Sequence, residues 1–449
     1  MTPRWIRAVL TLLTVGLCFV SRAAVPSAPE VTHLPNGARL VTLYQPDNPL
    51  VVIDVFFRVG VDDEAQTPGI TSLVTRAWFS DGRYRSANQL QRDIGAFGTG
   101  VGSVFGGDFA EIWSVSGQSQ AAIEQSAQTL LLNLVASPAF TPQAVTTARD
   151  EQLRALALEQ ANPLSSVLDR LRGRVWFESP QGRPLLGNAD SISKITAKEV
   201  QAYYNRFFRP SRAVILVAGN ITPIRARRLV EQNLAAADWR EDERPPAPEN
   251  LPAPERVPPG LRDMNLARPA PASILSIGYL VPGTQTGTAP DWAALLLLDT
   301  VLGGGKSARL FALRDAVTAP ADPAGYEIRT LLLPSRSQSL WTVYAIGNNP
   351  TKAARDAILI LLADLGTGKK PITDTELSRA KAYLKGQHAR ERQQLKDVSY
   401  GIGWAEVMGM GARFDTDYDT IMDAVKPEDV MRLAKQILGA SNGAVVSTQ

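Results

Sequence analysis

The apolar and polar positions of this chain form the same pattern twice. An apolar run at 51–59 ends at Gly60, and a second apolar run at 274–282 ends at Gly283. Short apolar runs bounded by glycine are typical of buried strands. In each half the run is followed by a helix start at Thr141 or Thr373, and later by a helix and a final apolar strand at 213–219 or 444–447. The shared order predicts two copies of one α+β unit.

The first half shows the layering of that unit. Strands are predicted at 39–43, 51–59 and 110–115, and they alternate with predicted helices at 69–79, 87–96, 119–135 and 143–172. This alternation indicates a sheet with helices packed on one face. We therefore expect an α+β protein built from two homologous, sandwich-like α/β lobes.

A proline-rich segment at 241–260 separates the two halves. It has little apolar content, so it favours an extended connector over a packed element. The predicted organisation is an N-terminal domain at 25–240, a linker at 241–262 and a C-terminal domain at 263–449.

The first 24 residues have the features of a secretory signal peptide. A start with Arg4 and Arg7 precedes an apolar segment at 8–20 and a small-residue cleavage site after Ala23 or Ala24. The segment is too short to favour a membrane span, although a retained N-terminal anchor remains an alternative. The sequence therefore predicts export, and we expect a periplasmic protein.

Charge and cysteine content limit the possible chemistry. Loss of the leader removes three arginines, so the mature chain has 44 basic residues (47 − 3) against 44 acidic ones. A neutral chain gives no argument for nucleic acid as a partner. Cys18 leaves with the leader, so the mature chain has neither a disulfide nor a thiolate metal site. Only His33 and His388 remain as imidazole ligands, and their surroundings predict ordinary surface or turn histidines.

Six segments carry recognisable motifs: 34–41, 60–64, 69–79, 183–192, 205–220 and 302–314. The most specific of them is the glycine-rich turn and helix at 302–314. Together they resemble the pitrilysin/insulinase/mitochondrial-processing-peptidase family of zinc metallopeptidases, and the resemblance extends from about residue 31 to the C-terminus. The resemblance implies a clamshell assembly in which this chain forms one half.

The positions that bind and activate zinc in that family are replaced here. Active members carry an inverted H-x-x-E-H helix, with two histidine ligands and a glutamate as general base. The corresponding positions hold Ser72, Thr75 and Arg76, and the third ligand position aligns with Arg154 or Ala155. An arginine stays protonated and would repel the metal. The resemblance thus implies an inactive member with no metal of its own, and zinc is expected in a partner subunit.

The resemblance also includes positions that contact the peptide substrate in active family members. In active assemblies the second-half unit supplies an arginine and a tyrosine that grip the peptide near the scissile carbonyl, as oxyanion-hole donors do. Arg314 matches the arginine, and Tyr326 is the candidate tyrosine after a longer loop. The segment 98–103 takes the place of an edge strand that pairs with peptide in active members. A strand here would still accept peptide by β-addition, whereas the glycines favour a flexible hairpin tip.

These observations predict a non-catalytic subunit of a periplasmic heterodimeric zinc peptidase. Its partners would be a homologous zinc-bearing subunit and a peptide or unfolded protein substrate, with no stable membrane span after signal cleavage. Two alternatives remain. One is a structural or peptide-binding protein with no role in proteolysis, and the other is a metallopeptidase with a rebuilt metal site.

Overall fold

The fold is described from a computed structural model. It covers residues 28–79, 86–96, 100–177, 179–237, 239, 263–266, 273–317, 327–347, 352–438 and 443–448. The predicted signal peptide (1–24), the predicted linker (241–262) and Tyr326 lie outside these residues.

Two sheets form the framework, and all strands of each come from one side of the predicted linker. The first sheet has the order β1-β2-β6-β3-β5-β4, with β2 and β6 parallel and the other pairs antiparallel. Its strands are β1 (Glu30–His33), β2 (Arg39–Tyr44), β3 (Leu50–Phe57), β4 (Gly100–Phe105), β5 (Ala110–Gly117) and β6 (Ala213–Gly219).

Among the described residues, the second sheet repeats the plan of the first without a counterpart of β1. Its order is β7-β11-β8-β10-β9, with β7 and β11 parallel and the other pairs antiparallel. Its strands are β7 (Asp263–Leu266), β8 (Ser273–Pro282), β9 (Glu327–Leu333), β10 (Gln338–Gly347) and β11 (Gly443–Thr448). The order β7-β11-β8-β10-β9 corresponds strand by strand to β2-β6-β3-β5-β4, as expected for two homologous lobes.

Helices of each half pack on one face of their own sheet, with two exceptions. In the first half they are α1 (Ile70–Ala77), α2 (Ala87–Ala96), α3 (Gln120–Ala127) with its π-helical continuation (Gln128–Ala136), α4 (Pro142–Ala161), α5 (Pro163–Val175), α6 (Ala189–Lys194), α7 (Ala197–Phe207) and α8 (Pro223–Ala236). In the second half they are α9 (Ala289–Gly303), α10 (Arg309–Val317), α11 (Lys352–Gly366), α12 (Asp374–Glu391), α13 (Leu395–Val407), α14 (Tyr418–Ala424) and α15 (Pro427–Ile437). The exceptions are α5 and α13.

The opposite face of each sheet is covered by a helix from the other half. Helix α13 packs on β3 and β6 of the first sheet, and α5 packs on β8 and β11 of the second. The apolar side chains of α13 at this contact are buried, among them Leu395, Val398 and Ile402. Burial of such a side chain stabilises the fold by roughly 1.5–3 kcal/mol. The exchanged helices therefore join the two halves through apolar cores.

Glycine allows α13 to lie close to the first sheet. A Cβ atom at Gly403 would lie 2.1 Å from Cε2 of Phe56, well inside van der Waals contact. Gly278 of β8 has a similar function against α5, since a Cβ there would lie 2.7 Å from Cδ2 of Leu171. In each half one glycine thus sets the separation of a helix and a strand.

Two local predictions were wrong. The predicted single helix at 143–172 is two helices, because Pro163 has no N–H and disfavours the helical conformation of the residue before it. Asn162 accordingly has ψ 118° and caps α5 by accepting hydrogen bonds from Leu164 and Ser165. The segment after residue 99 is a regular strand rather than a hairpin tip, and it is paired with β5 from Gly100 to Phe105.

Within the residues that the structure describes, no helix is long and apolar enough to cross a membrane.

Candidate functional site

Helix α1 carries the positions that correspond to the zinc-binding motif, and a buried carboxylate holds its N-terminus. Glu64 is 1% exposed. Its Oε2 accepts a hydrogen bond of 2.8 Å from the backbone N–H of Gly69, and its Oε1 accepts one of 3.1 Å from that of Thr71. These donors are unpaired within the helix, so Glu64 acts as a cap. Burial raises the pKa of Glu64 to about 7, although the two N–H donors act in the opposite direction.

Helix α4 is bound to the same end of α1. The side-chain amide of Gln152 donates to the carbonyl oxygens of Gly69 at 3.0 Å and Leu186 at 2.8 Å. Gln152 is fully buried, so these bonds form away from water. The Thr71 hydroxyl also lies 2.8 Å from the Tyr203 hydroxyl of α7. The start of α1 is therefore fixed by several other elements.

The first two replaced positions are buried and contribute to packing. Ser72 is 3% exposed and Thr75 is 5% exposed. The Thr75 hydroxyl donates 2.8 Å to the carbonyl oxygen of Ser72, within the same helix. The Ser103 hydroxyl of β4 donates 2.9 Å to the carbonyl oxygen of Thr75. This last bond connects α1 to the edge strand of the first sheet.

The third replaced position, Arg76, lines a groove of about 440 Å³ between α1 and α4. The groove is also lined by the exposed Glu151. The residues aligned with the third ligand lie elsewhere on α4. Ala155 is half-buried and Arg154 is exposed, and neither lines this groove. The structure thus places Glu151, one helical turn earlier, in the lining of the same groove as Arg76.

These residues do not fit a catalytic zinc ion. Zinc sites use histidine, cysteine and carboxylate ligands, whereas α1 offers two buried hydroxyls and a guanidinium. No group of three or more histidine, cysteine or acidic residues that could hold a metal is present in the described part of the chain. His33 and His388 do not form a metal site either. His33 ends the outer strand β1, and His388 of α12 stacks on Tyr418 with a ring distance of 4.1 Å.

In the second half, the arginine that anchors the specific motif is Arg309. Its Nε and Nη2 lie 2.7 and 2.9 Å from the two carboxylate oxygens of Glu376, a paired geometry that adds strength and direction. Arg309 also donates to the carbonyl oxygens of Lys370 and Pro371. The ion pair is the main reason that the pKa of Glu376 falls to about 2. Helix α10 is thereby fixed to the start of α12.

Arg314 lies on the last turn of α10 and is half-buried. Its guanidinium carbon lies 4.2 Å from the ring centre of Phe311, a cation–π distance. Its expected companion, Tyr326, is outside the described residues, so their juxtaposition stays a prediction.

Sequence reasoning missed a buried charge cluster between the first sheet and α13. Asp54 of β3 is 0% exposed and Glu111 of β5 is 1% exposed. The Lys396 ammonium lies 2.7 Å from Glu111 Oε1 and 3.5 Å from Asp54 Oδ1. Ser399 donates a short hydrogen bond to Asp54. Burial, followed by the neighbouring Glu111, raises the pKa of Asp54 well above its ordinary value.

The one available signal for this cluster was Asp54 itself. It is the single charged residue in the apolar run at 51–59, apart from Arg58 near the end of that run. Its partner Lys396 is 342 positions away (396 − 54), so no local pattern connects them.

Residues 194–384 match the family model described as "Peptidase M16 inactive domain". An "uncharacterized zinc protease" of Mycobacterium tuberculosis is 26% identical over 436 residues, which cover 94% of this chain and 94% of that relative.

Two solved structures share the fold over nearly the whole chain. A protease from Helicobacter pylori has a TM-score of 0.80 at 19% identity, and the match covers 95% of this chain and 100% of that one. A peptidase M16 inactive domain from Pseudomonas fluorescens has a TM-score of 0.82 at 17% identity, with 94% and 97% covered.

Proposed function

Because the chain is a member of the M16 (pitrilysin/insulinase) peptidase family, we propose that it is the non-catalytic subunit of a heterodimeric zinc peptidase. In this proposal it is exported to the periplasm and pairs with a homologous chain that carries an intact H-x-x-E-H helix and zinc. It completes the chamber and binds peptide substrate for that partner.

The proposal rests on one observation: other elements hold α1 firmly in place, although the helix carries no zinc-binding side chains. Glu64 and Gln152 hold the N-terminus of the helix, and Ser103 joins it to β4. Yet Ser72 and Thr75 bond or pack internally, and Arg76 is a cation. A positioned helix without ligands supports a role in chamber architecture and peptide contact rather than metal catalysis.

Edge strand β4 supports the peptide-binding part. It pairs with β5 on one side and is the last strand of its sheet within the described residues, so its other side offers backbone donors and acceptors. Extended peptides add to such edges by main-chain hydrogen bonds. Gly102 leaves room for the Trp113 indole, which a Cβ there would approach to 2.4 Å. The glycines therefore shape this strand without abolishing it.

A mixing experiment tests the proposal. Peptidase turnover is measured for this chain alone, for a candidate partner (an exported homologue with an intact H-x-x-E-H helix), and for the mixture. We expect activity to rise on mixing, and no gain would refute the subunit assignment. Zinc bound to this chain after purification, detected by elemental analysis, would instead support a rebuilt metal site.

Arg314→Ala in the mixed complex separates substrate binding from a purely structural role. We expect reduced turnover, because a donor beside the reacting carbonyl is removed. Arg390→Ala, an exposed arginine of α12, is the matched control and should leave turnover unchanged. Unchanged turnover in both variants would favour the structural alternative.

A further inference from the structure

The altered site contains an arginine, Arg76, with one unpaired guanidinium N–H. The Nε of Arg76 is buried and has no hydrogen-bond partner. Across the part of the chain that the structure describes, the Arg76 side chain forms no ion pair. Buried polar groups are almost always paired, and an unpaired one calls for an explanation. The position of Arg76 in the last turn of α1 suits a positive charge, but it leaves this N–H without an acceptor.

The space in front of Arg76 is large enough for part of a ligand. The groove measures about 440 Å³, within the range of small-ligand pockets. Small side chains on α4, Ala144 and Ala148, keep it open, and Phe79 adds an apolar wall. Thr147 provides a hydroxyl at the same surface. A mostly apolar groove with one cation favours a ligand with an apolar body and one anionic group.

Guanidinium geometry selects the anion. Its planar fork matches the two oxygens of a carboxylate, and such paired bonds are among the strongest in proteins. Glu151 lines the groove as well, but it is exposed and forms no ion pair with Arg76. Glu151 is therefore hydrated and leaves the guanidinium for an incoming carboxylate.

We propose that this groove binds a carboxylate of a peptide, with Arg76 as the specificity-determining residue. The inference rests on the proposed peptide-binding function and adds a preference for acidic groups. Its position beside β4 agrees with this, since Ser103 of that edge strand bonds the carbonyl oxygen of Thr75, the neighbour of Arg76. The carboxylate comes from a glutamate or aspartate side chain, or from the peptide C-terminus.

Fluorescence anisotropy with labelled peptides on the full-length mature chain tests the proposal. One peptide pair differs only by Glu or Gln at a central position, and a second pair differs only by a free or amidated C-terminus. A charge-assisted bond predicts about tenfold tighter binding of the acidic member of at least one pair. The pair that shows the preference identifies the source of the carboxylate.

Variants assign the preference to Arg76. Arg76→Gln should abolish it, while Arg76→Lys should keep part of it, because a lysine retains the charge but not the fork. Glu151→Gln should strengthen acidic binding, because it removes a neighbouring negative charge. Arg154→Gln changes an exposed arginine of the same helix outside the groove, and it should leave the preference intact.

The outcomes separate the carboxylate site at Arg76 from the proposed peptide-binding function. Binding of all peptides with equal affinity would overturn the carboxylate site and leave peptide binding in place. A preference that survives Arg76→Gln would place the site elsewhere and also overturn the inference. Absence of binding in every arm would overturn the proposed peptide-binding function together with this site.

Discussion

Replacement of Lys396 by methionine isolates the buried charge cluster that joins the two halves. Methionine keeps most of the volume of the lysine stem but removes the ammonium, which lies 2.7 Å from Glu111 and 3.5 Å from Asp54. The indole of Trp113 and the phenol ring of Tyr400 lie 5.3 and 5.2 Å from that ammonium. Both carboxyl groups would remain buried, now without the cation that compensates them.

The loss of folding stability depends on how a buried carboxylate left without its cation becomes neutral. Breaking a buried ion pair by loss of one partner typically costs about 3–5 kcal/mol. Protonation limits this cost, because neutralising a glutamic acid with an ordinary pKa near 4.3 requires about 3.7 kcal/mol at pH 7 and about 1 kcal/mol at pH 5. We therefore expect Lys396→Met to lower the free energy of unfolding by about 3–4 kcal/mol at pH 7 and about 1 kcal/mol at pH 5.

Proton linkage also predicts that Lys396→Met destabilises the fold more at pH 7 than at pH 5. A carboxyl group whose folded-state pKa lies above its unfolded value contributes stability at low pH, and that contribution is lost as the pH rises through the folded-state pKa. The pKa of Asp54 is already raised in this way, by burial and then by Glu111, and Lys396 opposes the shift. Removal of Lys396 should therefore steepen the loss of stability with rising pH.

Urea unfolding of the mature chain, followed by tryptophan fluorescence at pH 5 and pH 7, measures the effect. Lys385→Met is the matched control, because Lys385 pairs with Asp423 at the same distance of 2.7 Å but with side chains 31% and 57% exposed. Such an exposed pair is screened by water and contributes little to stability. The double variant Lys396→Met with Glu111→Gln should recover much of the loss. Equal losses for Lys396→Met at both pH values, or a loss no larger than that of the control, would refute the reasoning.

Three further changes test the packing and the capping of the fold. Gly403→Ala should lower the melting temperature, because its Cβ would lie 2.1 Å from Phe56, whereas Gly386→Ala on α12 meets nothing within 4 Å and should raise it. Glu64→Gln removes a carboxyl group whose pKa is raised from 4.5 to about 7. The free energy of unfolding of the variant, relative to that of the wild type, should therefore increase by about 3 kcal/mol between pH 4.5 and pH 8. A difference that stays constant with pH would contradict the raised pKa. Arg309→Lys loses the paired bonds to Glu376 and should cost about 1.5–3 kcal/mol in urea unfolding, whereas Arg355→Lys at the exposed pair with Asp263 should cost under about 1 kcal/mol.

The elements of the two sheets could be predicted where apolar runs are long and end at clear signals. The run at 51–59 corresponds to β3, and the capping pattern at Thr373 marks the start of α12. The break between α4 and α5 was also visible in Pro163, but the helical pattern on both sides obscured it. The exchange of α5 and α13 could not be predicted, because an apolar helix face does not specify which of two sheets it will cover.

The same limit applies to the site. Motif spacing located Ser72, Thr75 and Arg76 on one helix, since that requires only local order. The support of that helix by Glu64 and Gln152 depends on contacts across elements, and no local pattern signals such contacts. The glycine-rich motif directed attention to Arg314, whereas its structural anchor is Arg309, whose partner Glu376 is 67 residues away. Long-range polar contacts of this kind become visible only in the folded chain.

The subunit assignment is tested most directly by titrating this chain into a fixed amount of an exported homologue with an intact H-x-x-E-H helix, with peptidase turnover and bound zinc measured at each ratio. We expect turnover to rise and to saturate at one copy of each chain, with one zinc ion per pair. Turnover that does not change over the titration, or zinc and activity that purify with this chain alone, would contradict the subunit assignment.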